Sequence, residues 1–291
     1  MYYFVYGLLY LISLLPWRVI YIISDFFYLI AYYIVGYRKK VVFSNLQIAF
    51  PDKTEAERIK IAKEFYSQFM DSLVEMIKLI SISKKEFQKR HTINASVLND
   101  YYDKLDRVQF TTGHFFSWEF ANLGVSLESK FPILVVYMPL SNKIFDRIIY
   151  KMRSKFGTIL ISATEFRSIF HQYTKNKYSL VLVADQNPGN PKNAYWLPFF
   201  GKMAPFVKGP EKGARNNKTA VFYAHFYKVK RGYYRTDIEF ITNNPESYQE
   251  GELTKLLVKK IEDSVKEKPS GYLWSHKRWK FEFDPAIHKP V

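Results

Sequence analysis

From about residue 105 onward, short apolar runs alternate with longer amphipathic ones, and few folds accept that rhythm. Strand-like runs cover Val108–Thr112, Ile133–Tyr137, Leu180–Ala184 and Ala220–Val229. Helix-like segments lie between them, near 117–128, 142–156 and 164–177. The alternation predicts βαβ units: an α/β fold with a mostly parallel sheet flanked by helices. Tyr227 to Ile241, turning at Lys230-Arg231-Gly232, reads as an antiparallel hairpin added to that sheet. A further helix is expected over Glu252 to Lys266. Asp185 to Lys208 carries four prolines (188, 191, 198 and 205) and two glycines, and reads as one long loop. A loop that long in a compact domain is usually functional.

Two regions precede this one, dividing the chain into segments 1–36, 37–95 and 96–291. Met1 to Trp17 has no charged side chain, and Val19 to Gly36 is apolar apart from Ser24 and Asp25. Each piece is a little short of the ~20 apolar residues that span a bilayer. Arg18 and Asp25 interrupt the run, and a charge at mid-bilayer costs roughly 3 kcal/mol. Seven residues apart, they share a helix face and could pair. Pro16 is placed to bend or break the helix. Membrane attachment is the expectation, by a segment that is no cleavable signal peptide. Arg38-Lys39-Lys40 follow directly, which puts the remaining chain on the cytoplasmic side. The alternative is a buried N-terminal helical hairpin in a soluble protein. In segment 37–95, Thr54-Glu55-Ala56-Glu57 reads as a capping box. Ile59, Ala62, Phe65, Phe69, Leu73, Met76 and Ile80 then give a long helix one apolar face, to pack on the core or lie on lipid.

Composition narrows the chemistry. The absence of cysteine excludes disulfides, thiolate metal sites and a cysteine nucleophile. A formal charge of +16 favours anionic partners such as phospholipid surfaces, phosphorylated ligands or acidic carrier proteins. The 23 tyrosines and 5 tryptophans suit a membrane interface as well as a core. His91, His171, His225 and His288 have no metal-ligating spacing, so no metal is expected. The Gly209–Gly213 region lacks the lysine pattern of a phosphate-binding loop.

Thr111-Thr112-Gly113-His114-Phe115-Phe116-Ser117-Trp118-Glu119 stands where a strand gives way to a helix. Five residues along a regular helix turn through about 500°, leaving two side chains about 140° apart. His114 should therefore sit on the turn, with Gly113 permitting an unusual backbone, Ser117 as N-cap and Glu119 in the first helical turn. The carboxylate would then hold one imidazole nitrogen and leave the other free as a general base. A structural histidine near a sheet edge is the competing reading. A backbone amide near Phe115 is a candidate donor to an oxyanion.

With these residues in place, nearly the whole chain resembles the lipid A biosynthesis acyltransferase family. That family sits within the wider lysophospholipid and glycerol-3-phosphate acyltransferase-like group. Tyr37-Arg38-Lys39-Lys40-Val41-Val42, Asn45-Leu46 and Ala49-Phe50-Pro51 match its N-terminal part. Gly113-His114-Phe115 with Glu119 resembles its catalytic motif, a histidine and an acid separated by four residues. Tyr137-Met138-Pro139-Leu140, Asp146 and Arg153-Ser154-Lys155-Phe156-Gly157 resemble a second block. Ala184-Asp185-Gln186-Asn187 resembles a third, and Trp274-Ser275-His276-Lys277-Arg278-Trp279-Lys280 the closing one. Met138 departs from it, because many members have a basic residue there.

The resemblance implies transfer of an acyl chain from an acyl carrier protein or CoA thioester to a hydroxyl of a phosphorylated glycolipid, a lipid A precursor, at the inner membrane with the catalytic domain facing the cytoplasm. It implies His114 as base and Glu119 as its partner. It also implies Arg153, Asp185, Gln186 and Arg278 as substrate-binding groups. Direct attack on a thioester needs no cofactor, and none is expected. Three other readings stay open: the same chemistry on a glycerolipid, aminolipid or pigment alcohol, a non-catalytic lipid-binding protein, and a basic nucleic-acid binder. The last has no recognised motif behind it, so no nucleic-acid partner is expected.

Overall fold

The structure is a computed structural model and describes residues 1–288; residues 289–291, the end of the third segment, lie outside it. Two apolar helices open the chain, α1 (Tyr2–Leu14) and α2 (Trp17–Leu29), the second continued by a π turn over Ile30–Ile34. Pro16 separates them, since its ring cannot extend α1 but suits the start of α2. Next come α3 (Lys39–Ala49), α4 (Glu55–Leu79) and α5 (Lys84–Arg90). The capping box forms at α4: Thr54 Oγ1 accepts the Glu57 N–H, and the Glu57 carboxylate accepts the Thr54 N–H.

The α4 helix packs on the body, and its buried face is rotated from the expected stripe. Leu73 is exposed, while Asp71 and Glu75 are buried. The cause is α2, which lies antiparallel along α4 and supplies polar partners to that face. Ser24 Oγ donates to Asp71, and Tyr21 Oη donates to Glu75. The expected Arg18–Asp25 pair is not made. Asp25 turns to Arg231 instead, at 2.6 Å, and Arg18 is exposed. Arg231 also reaches Asp71, so one guanidinium serves two carboxylates on two helices.

The α/β core follows as β1 (His91–Ile93), α6 (Ser96–Asn99), β2 (Arg107–Thr112), α7 (Trp118–Glu128), β3 (Ile133–Tyr137), α8 (Lys143–Arg153), β4 (Ile159–Ser162), α9 (Phe166–Ile169) and β5 (Tyr178–Val183). It continues with β6 (Ala194–Phe199), β7 (Lys202–Val207), α10 (Gly209–Asn216), β8 (Ala220–Lys230), β9 (Tyr233–Thr242) and α11 (Glu252–Glu267). The main sheet has seven strands in the order β1-β9-β8-β2-β5-β3-β4. All its pairings are parallel except β8 with β9, the expected hairpin. The sheet thus begins with β1, inside the helical region ahead of residue 96.

Both faces of the sheet are covered, so the central strand β2 is buried at five successive positions rather than at alternate ones. Leu257, Val258 and Ile261 of α11 pack over Val221 and Tyr223. On the other face, Leu98 of α6 and Val125 of α7 pack over Phe110, Phe222 and Ala224. The long loop expected from Asp185 to Lys208 is in part a hairpin, β6 and β7. Pro198 and Pro205 disguise it, because proline is tolerated only where a strand need not donate. Its turn, Phe200-Gly201, has φ of +52° and +75°, the left-handed pair that tight hairpins use.

Candidate active site

The site is built where β2 and β5 end side by side. In their parallel register Thr112 stands opposite Val183. Two residues further on, His114 and Asp185 are neighbours for the same reason. The His114 ring donates from Nδ1 to Asp185 Oδ1 at 2.5 Å, and the His114 backbone N–H donates to Oδ2 at 3.1 Å. Asp185 is 1% exposed. Burial works against its charge, but His114 outweighs burial through its charge and both hydrogen bonds, with help from the Tyr272 hydroxyl, and holds the carboxyl at about 2. This fixes the tautomer that leaves Nε2 as acceptor. Nε2 has no protein partner among the described residues, and the ring lines an apolar cavity.

Glu119 is not the acid behind His114, so the expected pairing is corrected. Its carboxylate turns to Arg153 at the end of α8, which donates from Nε to both oxygens at 3.0 Å and from a terminal nitrogen at 2.6 Å. Trp118 Nε1 adds a bond at 2.9 Å. A bidentate, permanently charged fork is a stronger partner than an imidazole. The imidazole is meanwhile held from the other side by two bonds to one carboxylate. Glu119 and Arg153 still line the same cavity as His114.

Three local expectations also change. Gly113 has no left-handed backbone; space is tight there instead, because a Cβ would lie 3.1 Å from Ile261 Cγ2 and from the Phe115 ring, and those side chains would have to shift by a few tenths of an ångström. Ser117 stands at the N-cap of α7 but makes no side-chain cap bond, and its hydroxyl reaches Glu75 at 3.3 Å. The amides proposed as oxyanion donors are occupied: Phe115 N–H bonds Gly113 O and Phe116 N–H bonds Gly271 O.

The cavity has a volume of about 330 Å³ and runs between α7 and the sheet. Phe110, Val125, Ile133, Val181 and Ala224 line its depth, and Met138 and Leu140 stand at its mouth. An apolar slot with one base and one ion pair suits a hydrocarbon chain whose reacting end stays near His114.

The other expected residues are placed differently. Gln186 is half-buried on the loop after Asp185. Arg278 is only 1% exposed, which argues against the direct substrate contact that the resemblance implied for it. Its guanidinium lies 4.2 Å from the Phe206 ring centre and donates to Asn187 Oδ1 at 2.7 Å and Pro205 O at 2.9 Å. It fastens the Asp185 loop to the β6–β7 hairpin.

The site also depends on residues that no spacing singled out. Asn45 of α3 donates to the carbonyls of Trp274 and His276 at 2.8 and 2.7 Å, pinning the closing segment. Burial pulls His276 down to about 4, so it is neutral and accepts the Asn187 N–H. Among the described residues, no group of three or more His, Cys, Asp or Glu could hold a metal ion.

Known proteins resemble this chain along most of its length. A family model described as bacterial lipid A biosynthesis acyltransferase matches residues 1–281. The chain is 23% identical over 253 residues to the lipid A biosynthesis palmitoleoyltransferase of Escherichia coli K12, covering 84% of this chain and 79% of that protein. A lipid A biosynthesis acyltransferase of Shigella flexneri matches with the same identity and coverage.

Proposed function

The chain belongs to the bacterial lipid A biosynthesis acyltransferase family, and from that premise we propose that it transfers a fatty acyl chain from an acyl carrier protein or CoA thioester to a hydroxyl of a lipid A precursor. The observation that carries this is His114, backed by buried Asp185 and open at Nε2 to an apolar cavity. The Nε2 atom takes the proton of the acceptor hydroxyl as its oxygen attacks the thioester carbonyl carbon. The resulting oxyanion collapses and the carbon–sulfur bond breaks. The departing thiolate takes the proton back from the imidazolium, giving an ester and a free thiol. Asp185 stabilises the imidazolium between these steps. The catalytic role expected for Glu119 becomes that of holding Arg153 in the cavity wall, where its cation faces the developing negative charge. The acyl chain lies in the slot beneath α7. The domain works at the inner membrane on its cytoplasmic side, an orientation supported by Arg38-Lys39-Lys40 after the apolar helices.

The test is His114→Ala in purified, folded protein assayed in detergent. Loss of general-base help lowers turnover about 10²–10⁴-fold; turnover near the parent level ends the assignment. One observation favours a second reading, the same chemistry on a less phosphorylated acceptor. Met138 is 67% exposed at the cavity mouth, the position where the family resemblance implies a cation. Mass spectrometry of lipids from a deletion strain decides it. Lipid A lacking one acyl chain supports the first reading, and intact lipid A with another lipid missing supports the second.

A further inference from the structure

Both N-terminal helices are held to the catalytic body at each end. α1 has 13 residues, about 20 Å of helix against a hydrocarbon core of about 30 Å; α2 with its π turn runs unbroken over Trp17–Ile34, 18 residues that are long and apolar enough to cross a bilayer, so for it the attachments and not the length decide. At the start of α1, Arg147 of α8 lies 4.2 Å from the Tyr2 ring centre, and one turn on Lys151 lies 4.6 Å from that of Tyr6. At its end, Lys78 of α4 takes the carbonyls of Ser13 and Leu15 at 2.7 and 2.6 Å. The α2 helix is tied in the same way. Arg90 stacks on Trp17, Tyr21 and Ser24 bond to Glu75 and Asp71, and Tyr32 packs edge-on against Tyr66. A helix that crosses a bilayer carries one end away from the domain it anchors. Neither of these does.

The faces turned away from the body are apolar. On α1 they are Tyr3, Phe4, Leu8 and Leu11; on α2 and its π turn they are Ile22, Phe26, Leu29 and Tyr33, with exposed Arg18 and Asp25 as the charged exceptions. Beside α1 runs a cationic edge of α8, with Lys143, Arg147 and Lys151 exposed at four-residue spacing. The α8 helix starts three residues after Leu140, so this surface continues to the exposed Met138 and Leu140 at the cavity mouth. An apolar face bordered by cations is complementary to one occupant, the anionic headgroup and upper acyl region of a phospholipid leaflet.

We infer that α1 and α2 lie in the plane of one leaflet instead of crossing it, with the cavity mouth opening onto the same leaflet. This rests on the membrane attachment proposed above and deepens it. The acceptor lipid then reaches His114 by sliding sideways from the bilayer, and Met138 meets acyl chains where a cation would meet phosphate.

The chain has no cysteine, so a single Phe4→Cys variant takes one fluorescent nitrobenzoxadiazole label. An Ile22→Cys variant repeats the readout on α2. Each is placed in sealed phosphatidylethanolamine–phosphatidylglycerol vesicles with the catalytic domain shown by protease to face outward. The expected result is complete bleaching by external dithionite without detergent, and stronger quenching by a nitroxide near the headgroup than by one near the chain end. Protection of the Phe4→Cys label until detergent is added means a crossing helix and overturns the inference. A label that no nitroxide lipid quenches, in a protein that sizes as a dimer, means a second copy covers the face and also overturns it. Failure to float with vesicles overturns the membrane attachment itself, which separates the two failures. Lys143→Glu reverses the one of these cations that makes none of the contacts described above as holding α1, and should lower vesicle affinity at least severalfold, with thermal stability near the parent value.

Discussion

Two buried carboxylates, Asp185 and Glu75, are each 1% exposed and face opposite chemistry. Burial works against the charge of Asp185, but the charge of His114, its two hydrogen bonds and the Tyr272 hydroxyl together outweigh it and hold the carboxyl at about 2. Burial pushes Glu75 up to about 7. Hydroxyl donors Tyr234 and Tyr21 only partly offset it, and nearby Asp71 adds to it. A carboxylate that faces an ionisable ring can move charge on demand. One surrounded by hydroxyls instead gathers elements, and Glu75 collects Tyr21 of α2, Ser117 ahead of α7 and Tyr234 of β9. Depth of burial alone therefore says nothing about which acid does chemistry; the partner decides.

The sharpest way to break this comparison is Asp185→Asn. The variant keeps the size of the side chain but no longer selects the base tautomer, so turnover should fall at least 10²-fold. Steady-state kinetics on protein whose melting curve remains cooperative is the measurement. A loss of only a few-fold would mean that another group supports the imidazole.

Glu75 gives a smaller effect, read in stability. Its folded pKa is above the unfolded one, so its contribution is full below about pH 4.5 and is lost as pH rises through about 7. Glu75→Gln removes that dependence. The melting temperature of the variant relative to the parent should rise between pH 5 and pH 8, by the equivalent of roughly 3 kcal/mol as an upper bound. A difference that stays flat with pH would place the proton elsewhere.

The smallest effect is the most discriminating for Glu119. In double-mutant cycles on kcat, Glu119→Gln should couple to Arg153→Gln by about 1–3 kcal/mol, and more strongly than to Asp185→Asn. The reverse order would restore the pairing with His114.

Much of this was readable along the chain. The β2, β3, β5 and β8 strands stand where short strand-like runs alternate with helices, because a parallel sheet covered on both faces buries its strands along much of their length. The hairpin at Gly232 and the box at Thr54 follow from local chemistry, a left-handed turn and a reciprocal cap. The β6–β7 hairpin was hidden by its prolines, and β4 by its brevity, four residues. At the site, His114 was legible as a base on a strand-to-helix turn, but its partner was not. Sequence spacing offered Glu119, five residues away, whereas Asp185 lies 71 residues away and meets His114 only because β2 and β5 pair in register.

By itself the sequence determined the alternating core, the apolar beginning, the absence of thiol chemistry and the candidate base. These rest on interactions within a few residues or on composition, which any compact state must respect. Only the tertiary structure decided which acid serves His114, that Arg153 is bound to Glu119, that Arg278 is sealed beneath a hairpin, and that α2 lies along α4. Each of those is a choice among several charged groups of similar chemistry. Strand register and helix packing make the choice, by setting which of them come within hydrogen-bond reach.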